Sequence, residues 1–322
     1  MALTDEFQAL NKAFSGVGID ENSLISILGK WHPEERKSFR KGTPHFFKQD
    51  EHHFERWDDL HVKHLKHEFM ESDEALYDFC QNAVVLWTMH SWERDARLVK
   101  EALKKGPQTY SVLVEIACTR SAEELLGARK AYHSLFDHSI EEDVAYHIDG
   151  PEGKLLVALV SAYRYEGPKV KDDTAKSEAK TLAHAIKNAD KRNPIEDDEV
   201  IRILSTRSKP HLKEIYKHYQ EISGHNIDED LDDALRLKET VQCLCTPHAY
   251  FSQVLEVSLR NGVDKNIKKG LTRVIVTRAD ADMKEIKEEY QNLYGVSLTE
   301  KIEATANGNY KDFLLTLAAR GG

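Results

Sequence analysis

The sequence predicts an all-α protein made of four copies of one helical unit. Three segments share a Thr-Arg pair, at Thr119-Arg120, Thr206-Arg207 and Thr277-Arg278, and a Tyr follows each Arg by twelve residues. The three Arg residues lie 87 and 71 residues apart, so each unit is about 70 residues long with a linker of variable length. Apolar residues recur around each pair at offsets of three and four, which is typical of buried helix faces, and strand signals are sparse. The shared apolar positions are Leu113, Val200 and Leu271, then Ile116, Ile203 and Val274, then Ile140, Ile227 and Leu298, and finally Val144, Leu231 and Ile302.

Helix starts within a unit are marked by capping residues. Ser121 precedes two acidic residues, a pattern that predicts an N-cap followed by an acidic first turn. Ser208 is followed closely by Pro210, and proline is tolerated in the first turn of a helix. The Thr-Arg landmark is therefore expected to lie at a turn between two helices.

A first, diverged copy precedes the three that carry the landmark. Leu24, Ile27 and Leu28 occupy the same apolar offsets before Trp31, which stands at the Arg position. The segment from Arg164 to Thr174 is polar, holds Gly167 and Pro168, and is interpreted as a hinge between two halves. The predicted organisation is repeat 1 at 1–88, repeat 2 at 89–163, a linker at 164–173, repeat 3 at 174–247 and repeat 4 at 248–320.

Charge and composition limit the possible partners. The chain has 31% charged residues and a formal net charge of -10, so nucleic acid and bare anionic lipid should be repelled. An acidic partner therefore requires a bridging cation. The four Cys lack paired Cys-x-x-Cys spacings, which indicates reduced thiols in a cytoplasmic protein. The N-terminus shows neither a signal peptide nor an anchor, and no stretch predicts a membrane span.

Two motifs and the repeat length resemble the annexin family. The runs at 274–280 (VIVTRAD) and 308–315 (GNYKDFLL) are particularly similar to annexins, and 159–167 (LVSAYRYEG) resembles the plant branch. The match covers almost the whole chain. It implies four repeats of about five short helices each, arranged as a curved disc whose calcium loops meet phospholipid.

The resemblance also implies a calcium site in repeat 1. Annexins use a Gly-x-Gly turn plus a distant carboxylate, and that turn occurs here once, at 16–21 (GVGIDE). Calcium prefers six to eight oxygen ligands, and glycine permits the tight turns that aim carbonyls inward. By resemblance the ligands are the carbonyls of Phe14, Gly16 and Gly18 and the carboxylate of Glu68. Asp58 and Asp59 are the alternative acids, since repeat 1 carries about ten extra residues before the acid. Val17 and Ile19 would contact the membrane.

The other repeats lack this pattern. The glycine positions hold Lys105 and Pro107 in repeat 2, Arg192 and Pro194 in repeat 3, and Val263 and Lys265 in repeat 4. The acid position holds His147, Ala234 or Thr305. Weaker calcium sites are conceivable at two acidic runs, 141–143 (EED) and 196–198 (EDD), although such runs usually serve as solvated helix starts.

Two further groups have structural and functional interpretations. His45, His52, His53, His61, His64 and His67 could bind a metal or sense pH, but solvated histidines are favoured because three of them would fan widely around a helix. Cys118 and either Cys243 or Cys245 match cysteines of plant annexins for which a redox role is proposed. Their apolar helix faces instead favour buried core residues.

The resulting hypothesis is a peripheral, calcium-dependent phospholipid-binding protein, with calcium signalling and stress response implied by the resemblance. The alternative is a helical scaffold that acts through protein partners such as actin or other annexins, or through calcium-independent lipid contacts. An enzyme is not expected, because no nucleophile, base and oxyanion donor converge in the pattern.

Overall fold

The computed structural model describes residues 3–14, 21–60 and 75–321. Within these ranges the chain forms 18 α-helices and one two-stranded sheet, which confirms the predicted all-α class. The helices are α1 (Leu3–Phe14), α2 (Glu21–Leu28), α3 (Pro33–Gly42), α4 (Ala75–Thr88), α5 (Ser91–Lys105), α6 (Ser111–Thr119), α7 (Ala122–Phe136), α8 (Ile140–His147), α9 (Gly150–Val160), α10 (Asp172–Lys187), α11 (Asp198–Thr206), α12 (Lys209–Ser223), α13 (Leu235–Cys245), α14 (Pro247–Ser258), α15 (Lys265–Arg278), α16 (Met283–Tyr294), α17 (Leu298–Thr305) and α18 (Gly308–Ala318). Short 3₁₀ helices span Pro107–Thr109, Pro194–Glu196, Glu229–Leu231 and Ala319–Gly321.

The chain divides into two compact units. One contains Met1–Ser91 and Phe251–Gly322, and the other contains Trp92–Tyr250. In the first unit α18 packs against α2 and α4, and α15 packs against α4. In the second unit α10 lies along α12, and α6 packs against α13. The four repeat ranges inferred from the sequence remain a prediction.

The apolar landmarks form the core of their units. Each of the twelve shared apolar residues is at most 5% exposed, and the landmark tyrosines Tyr132, Tyr219 and Tyr290 are at most 2% exposed. In the first copy Ile27, Leu28 and Trp31 are also buried. The recurring offsets therefore mark buried helix faces.

The landmark Arg lies where the second helix of a copy ends. Arg120 follows α6 and forms a two-pronged ion pair with Asp95 of α5, at 2.8 and 3.0 Å. Arg207 follows α11 and pairs with Glu178 of α10 in the same way, at 2.9 Å from Nε. A guanidinium matches the geometry of a carboxylate, so each pair ties the turn back to the first helix.

The landmark Tyr donates to a carboxylate in all three copies. Tyr132 and Tyr219 donate to Asp143 at 2.5 Å and Asp230 at 2.7 Å, each eleven residues further on. Tyr290 instead donates to Glu256 of α14, at 2.5 Å.

The fourth copy reverses the charges around its tyrosine. Lys301 stands eleven residues after Tyr290, and its Nζ lies 3.9 Å from Glu256. In the second copy the acid Asp143 is on the later helix and pairs with Lys100 of α5 at 2.8 Å. The basic and acidic partners have therefore changed places between the two copies.

Both predicted helix caps are present. The Ser121 hydroxyl accepts from the Glu124 backbone N–H at 3.1 Å, and the Glu124 carboxylate accepts from Ser121 N–H at 2.8 Å. Ser208 accepts from His211 N–H at 3.3 Å, with Pro210 in the first turn of α12. The helix starts follow from local capping chemistry.

A β-hairpin adds to the helices in the first copy. Strands β1 (Phe47–Gln49) and β2 (Glu55–Trp57) pair antiparallel with Phe47 opposite Trp57. The rings of these two residues lie 4.3 Å apart between centroids, and both are at most 3% exposed. A cross-strand aromatic pair stabilises a hairpin too short to give a periodic signal.

The segment after α9 is attached to the end of α11. Arg164 donates to the carbonyls of Leu204 and Arg207 at 2.6 and 2.7 Å, and Tyr165 N–H donates to the Thr206 carbonyl at 3.1 Å. Terminal helix carbonyls lack intrahelical donors, so Arg164 acts as a side-chain cap. The next helix begins at Asp172.

Among the helices that the described ranges contain, none combines the length and apolar character needed to cross a bilayer.

Candidate calcium site

The described part of the predicted site is the end of α1. Phe14 is the last residue of this helix and is 8% exposed. Its ring lies 5.5 Å from Trp57 and 5.9 Å from both Phe39 and Phe46 between centroids. The last carbonyls of a helix have no intrahelical donor, so this cluster fixes the position from which the Phe14 carbonyl could serve as a ligand.

The rest of the predicted site falls outside the described residues. These positions are Gly16, Val17, Gly18 and Ile19 in the turn and Glu68 as the acid. The assignment of these residues therefore stays a prediction.

The alternative acids are described and already have partners. Asp59 pairs with Arg56 Nη2 at 2.8 Å, and Arg56 Nη1 also lies 3.5 Å from Asp50. Asp58 accepts from the Leu60 N–H at 3.0 Å. Arg56 thus neutralises Asp59, whereas the choice between Asp58 and Glu68 stays a prediction.

In the second copy, internal donors occupy the carbonyls at both ligand positions. The Lys105 carbonyl accepts from Gln108 Nε2 at 2.7 Å. The Pro107 carbonyl accepts from Arg236 Nη2 at 2.6 Å. Gly106 between them has φ +99°, a conformation that suits glycine. A guanidinium thus contacts the carbonyl that a calcium ion would bind in a family-type loop.

Arg236 is held in place by carboxylates on two helices. Nε donates to Glu152 of α9 at 2.6 Å and Nη1 donates to Glu239 of α13 at 2.7 Å. Burial by itself lowers the pKa of Arg236, but these carboxylates outweigh it and raise the pKa above its usual value. Burial also raises the pKa of Glu239 despite its cationic neighbour. The guanidinium, held by these two carboxylates, therefore occupies the Pro107 carbonyl in the place of a bound cation.

The loops of the third and fourth copies serve as helix starts. In the third copy Arg192 Nη2 donates to the Glu196 carbonyl at 2.6 Å, and the Pro194 carbonyl accepts from Asp197 N–H at 3.1 Å. In the fourth copy Asp264 accepts from Asn266 N–H at 2.8 Å and caps α15.

The three residues at the acid position bond to nearby groups in their own copies. His147 Nδ1 lies 2.8 Å from the Asp143 carbonyl, and the Thr305 hydroxyl donates to the Lys301 carbonyl at 2.7 Å. Ala234 N–H donates to the Leu231 carbonyl at 2.9 Å, and its side chain offers no ligand. None of these three side chains is a carboxylate.

The acidic run at 196–198 stabilises helix α11. Asp197 accepts from the N–H groups of Glu199 and Val200 at 2.9 and 3.4 Å, as an N-cap. Asp198 pairs with Lys154, which lowers the pKa of the Asp198 carboxyl.

The run at 141–143 has a similar role in α8. Glu142 completes a capping box with Ser139, whose hydrogen bonds lower the Glu142 pKa. Burial opposes ionisation of Asp143, but hydrogen bonds from Lys100 and Tyr132 outweigh it and lower the pKa. Both runs serve as helix starts, as favoured from the sequence, but Asp143 is buried and is not a solvated residue.

Two of the described cysteines, Cys118 and Cys243, are buried, and Cys245 is partly buried. Cys118 and Cys243 are at most 1% exposed, and Cys245 donates from Sγ to the Leu212 carbonyl at 3.7 Å. Burial raises the thiol pKa to about 11 for Cys118 and about 12 for Cys245, and well above its usual value for Cys243. These thiols are protonated at neutral pH, as expected of core residues.

The histidine group is only partly described. His45, His52 and His53 belong to the described ranges, and His61, His64 and His67 lie outside them. His52 Nε2 is 3.6 Å from the exposed Glu51 carboxylate. His53 has φ +64° in the hairpin turn. Solvated histidines therefore remain the preferred interpretation.

The contact between Arg236 and Pro107 was not apparent from the sequence. It joins residues 129 positions apart and depends on α13 lying beside the start of α6. The sequence near Arg236 shows only one of its partners, Glu239, which lies three residues later on the same helix. The other carboxylate, Glu152, comes from a different helix.

These features define an all-α protein of repeated helical units, with a helix-end calcium site predicted in one copy. The sequence profile of the annexin family matches residues 94–159, 178–236 and 258–317. Annexin D4 of Arabidopsis thaliana is 55% identical over 99% of this chain and 99% of its own length. Annexin Gh1 of Gossypium hirsutum is 41% identical over 98% of this chain and 95% of its own. The solved structure of annexin III superimposes with a TM-score of 0.80 at 25% identity, covering 100% of this chain and 94% of the other. The chain belongs to the annexin family and is of the plant type.

Proposed function

We propose that this protein binds acidic phospholipid membranes peripherally, through a calcium ion held in its first repeat. The ligands are the carbonyls of Phe14, Gly16 and Gly18 and the carboxylate of Glu68. Val17 and Ile19 contact the lipid surface from the same turn. Membership of the annexin family supports the proposal, and the net charge of -10 means that an anionic membrane requires a bridging cation.

The anchoring of Phe14 is the observation that carries the proposal. A calcium loop needs carbonyls that are free of internal donors and held in a fixed direction. The buried ring of Phe14 packs against Trp57 and Phe39 and fixes the helix end that precedes Gly16 in the sequence. In the second copy the carbonyls of Lys105 and Pro107, at the positions of Gly16 and Gly18, already accept from Gln108 and Arg236.

A single strong site has a thermodynamic signature. Several weak contacts that act together raise avidity steeply, whereas one site cannot benefit from that effect. We therefore expect modest membrane affinity and a shallow dependence of binding on calcium concentration.

Pelleting with phosphatidylserine vesicles tests the proposal, using wild type and Glu68→Gln with calcium or with chelator. Wild type should pellet only with calcium, and Glu68→Gln should lose most of that binding. Glu51→Gln is the matched control, since it makes the same change at an exposed acid of the same repeat. Asp58→Asn and Asp59→Asn test the alternative acids. Binding that persists in chelator, or that Glu68→Gln leaves intact, contradicts the single-site mechanism.

The second candidate function is a helical scaffold for protein partners such as actin or another annexin. The observation in its favour is the hydrogen bond from Arg236 to the Pro107 carbonyl, which a family-type loop would offer to calcium. Co-sedimentation with filamentous actin in chelator would support this candidate. Failure to bind actin, together with calcium-dependent pelleting of vesicles, would reject it.

The remaining expectations extend the leading proposal. They are a non-enzymatic role, a cytoplasmic location with membrane association when calcium rises, and a part in calcium signalling and stress response. Binding to nucleic acid is not part of the proposal, because the net charge opposes it.

A further inference from the structure

Three metal-ligating side chains meet between α10 and α12, in the third copy. Asp172 is the first residue of α10, and Glu214 and His218 lie one turn apart on α12. A spacing of four residues places two side chains on the same helix face. One ligand atom from each of the three residues lies within 4.8 Å of the other two.

The imidazole of His218 lies at the base of this group. Its side chain is 9% exposed, while that of Asp172 is 68% exposed and that of Glu214 is 32% exposed. Nε2 is 2.6 Å from Asp172 Oδ1 and 4.0 Å from Glu214 Oε1. An ion could therefore enter from solvent past the carboxylates and reach a buried nitrogen.

The second nitrogen of His218 has its own partner. Nδ1 lies 3.1 Å from the Glu221 carboxylate, on the same helix. Histidines that ligate metals usually donate their other N–H to a carboxylate or carbonyl, which fixes the ring and directs the free nitrogen toward the metal. This contact is independent of the three ligands and orients Nε2 toward them.

We propose that Asp172, Glu214 and His218 form a binding site for one divalent transition-metal ion of the zinc class. Zinc takes nitrogen and oxygen ligands at about 2.0 to 2.2 Å, so tetrahedral ligand atoms lie roughly 3.4 Å apart. The distances from Nε2, 2.6 Å to Asp172 and 4.0 Å to Glu214, bracket that value. Rotation of the exposed Asp172 and Glu214 side chains can bring the oxygens to equal distance, and water completes the coordination.

The ligand chemistry distinguishes this site from a calcium site. Calcium takes oxygen ligands and many of them, whereas an imidazole with two carboxylates suits zinc and its neighbours. The calcium ligands proposed above lie in the first repeat and share no residue with this site. The two proposals can therefore fail independently.

Protons compete with the metal for Nε2. The charged groups around the ring are Asp172 and Lys176 from α10, and Glu214, Lys217 and Glu221 from α12. Lys217 also pairs with Glu214 at 3.2 Å, and metal binding displaces that contact. Zinc affinity should therefore be lower at low pH, because an imidazolium cannot ligate a metal.

Zinc titration of the full-length protein by calorimetry tests the proposal, without lipid and with excess calcium present. Because other histidines can add sites, the decisive quantity is the difference between variants. His218→Gln should bind one zinc equivalent fewer than wild type, and Asp172→Asn should bind that equivalent about tenfold more weakly or worse. The matched control is His225→Gln, whose ring is 65% exposed and lies 3.4 Å from one carboxylate, Asp230. This control should keep the wild-type number of sites.

Circular dichroism verifies that each variant is folded. If His218→Gln does not fold, the zinc titration of Asp172→Asn provides the test. Cobalt absorption in the visible range gives a second reading, since loss of a nitrogen ligand changes the spectrum. An equal number of zinc equivalents in wild type, His218→Gln and Asp172→Asn would overturn the proposal. Complete displacement of zinc from this site by calcium would overturn it as well.

Discussion

Arg236 donates from Nη2 to the carbonyl of Pro107 at 2.6 Å, across 129 positions of the sequence. The carbonyl belongs to the loop in which a family-type repeat would hold calcium, so an internal cation takes a position that the ion would fill. Glu152 and Glu239 keep the guanidinium there. This arrangement gives the loop of the second copy a structural role.

Substitution of Arg236 should destabilise the protein without creating a calcium site. Arg236→Ala leaves the largely buried Glu239 without its cation, and breaking such a pair costs about 3 kcal/mol. Calcium binding should not rise, because the acid position of this copy holds His147. Urea unfolding measures the first effect and calcium calorimetry the second.

Lys238→Ala serves as the control, since Lys238 pairs with the exposed Asp232 and should contribute under about 1 kcal/mol. Equal stability of the two variants would contradict the role assigned to Arg236.

The buried pair of Arg120 and Asp95 should show strong coupling. Both side chains are at most 4% exposed, so Arg120→Met takes the guanidinium away from the buried Asp95 carboxylate and should cost about 3 kcal/mol. The double variant with Asp95→Leu removes both charges and should recover more than half of that loss. Denaturant unfolding of the two single variants and the double variant measures the coupling energy.

Lys154→Met, at an exposed pair with Asp198, should change stability by less than about 1 kcal/mol. Additive effects of the Arg120 and Asp95 substitutions would mean that the pair is not coupled.

His218 should make stability depend on pH in the absence of metal. The hydrogen bond to Asp172, and to a smaller extent the one to Glu221, raises the pKa of His218 above the usual value. A raised folded pKa stabilises the protein fully below the unfolded pKa of about 6.5, and the contribution is lost as pH rises through the folded pKa. The stability difference between wild type and His218→Gln should therefore be largest near pH 6 and shrink as the pH rises through the raised folded pKa.

Urea unfolding in chelator over this range provides the measurement, with His225→Gln as control. A stability difference that grows with rising pH would mean that His218 does not gain its proton affinity from these two carboxylates.

The thiols of Cys118, Cys243 and Cys245 should resist modification in the folded protein. Their raised pKa values keep them protonated, and only the thiolate reacts readily with Ellman's reagent. In a Cys80→Ser variant these three are the remaining cysteines of the chain. They should react slowly in native buffer near pH 8 and completely in guanidinium. Fast native labelling in this background would instead support a redox role.

The sequence was most informative where structure depends on local chemistry. The offsets around the Thr-Arg landmark predicted buried positions such as Leu113 and Ile203, and Ser121 predicted a helix start. These signals are periodic or confined to four residues, so one sequence suffices to detect them.

Features that depend on packing between distant segments were not predictable in the same way. The hairpin at Phe47 and Trp57 has strands of three residues, too short for a pattern of alternation. The spacing of Glu214 and His218 is visible in the sequence, but the third ligand, Asp172, lies 42 positions earlier on another helix. For the calcium site, only Phe14 could be compared with the structure, and Gly16, Gly18 and Glu68 remain predictions.

The ion pair near Tyr132, between Lys100 and Asp143, and the pair near Tyr290, between Glu256 and Lys301, have opposite polarity. This reversal affects which helices can pair during folding. Similar helices in one chain can pair with the wrong copy, and such misassembly is a common fault of repeat proteins. If α5 met α17 in place of α8, Lys100 would face Lys301, and Glu256 of α14 would face Asp143 in the reciprocal error. Like charges brought together in this way repel each other, so the reversal disfavours an exchange of helices between the second and fourth copies.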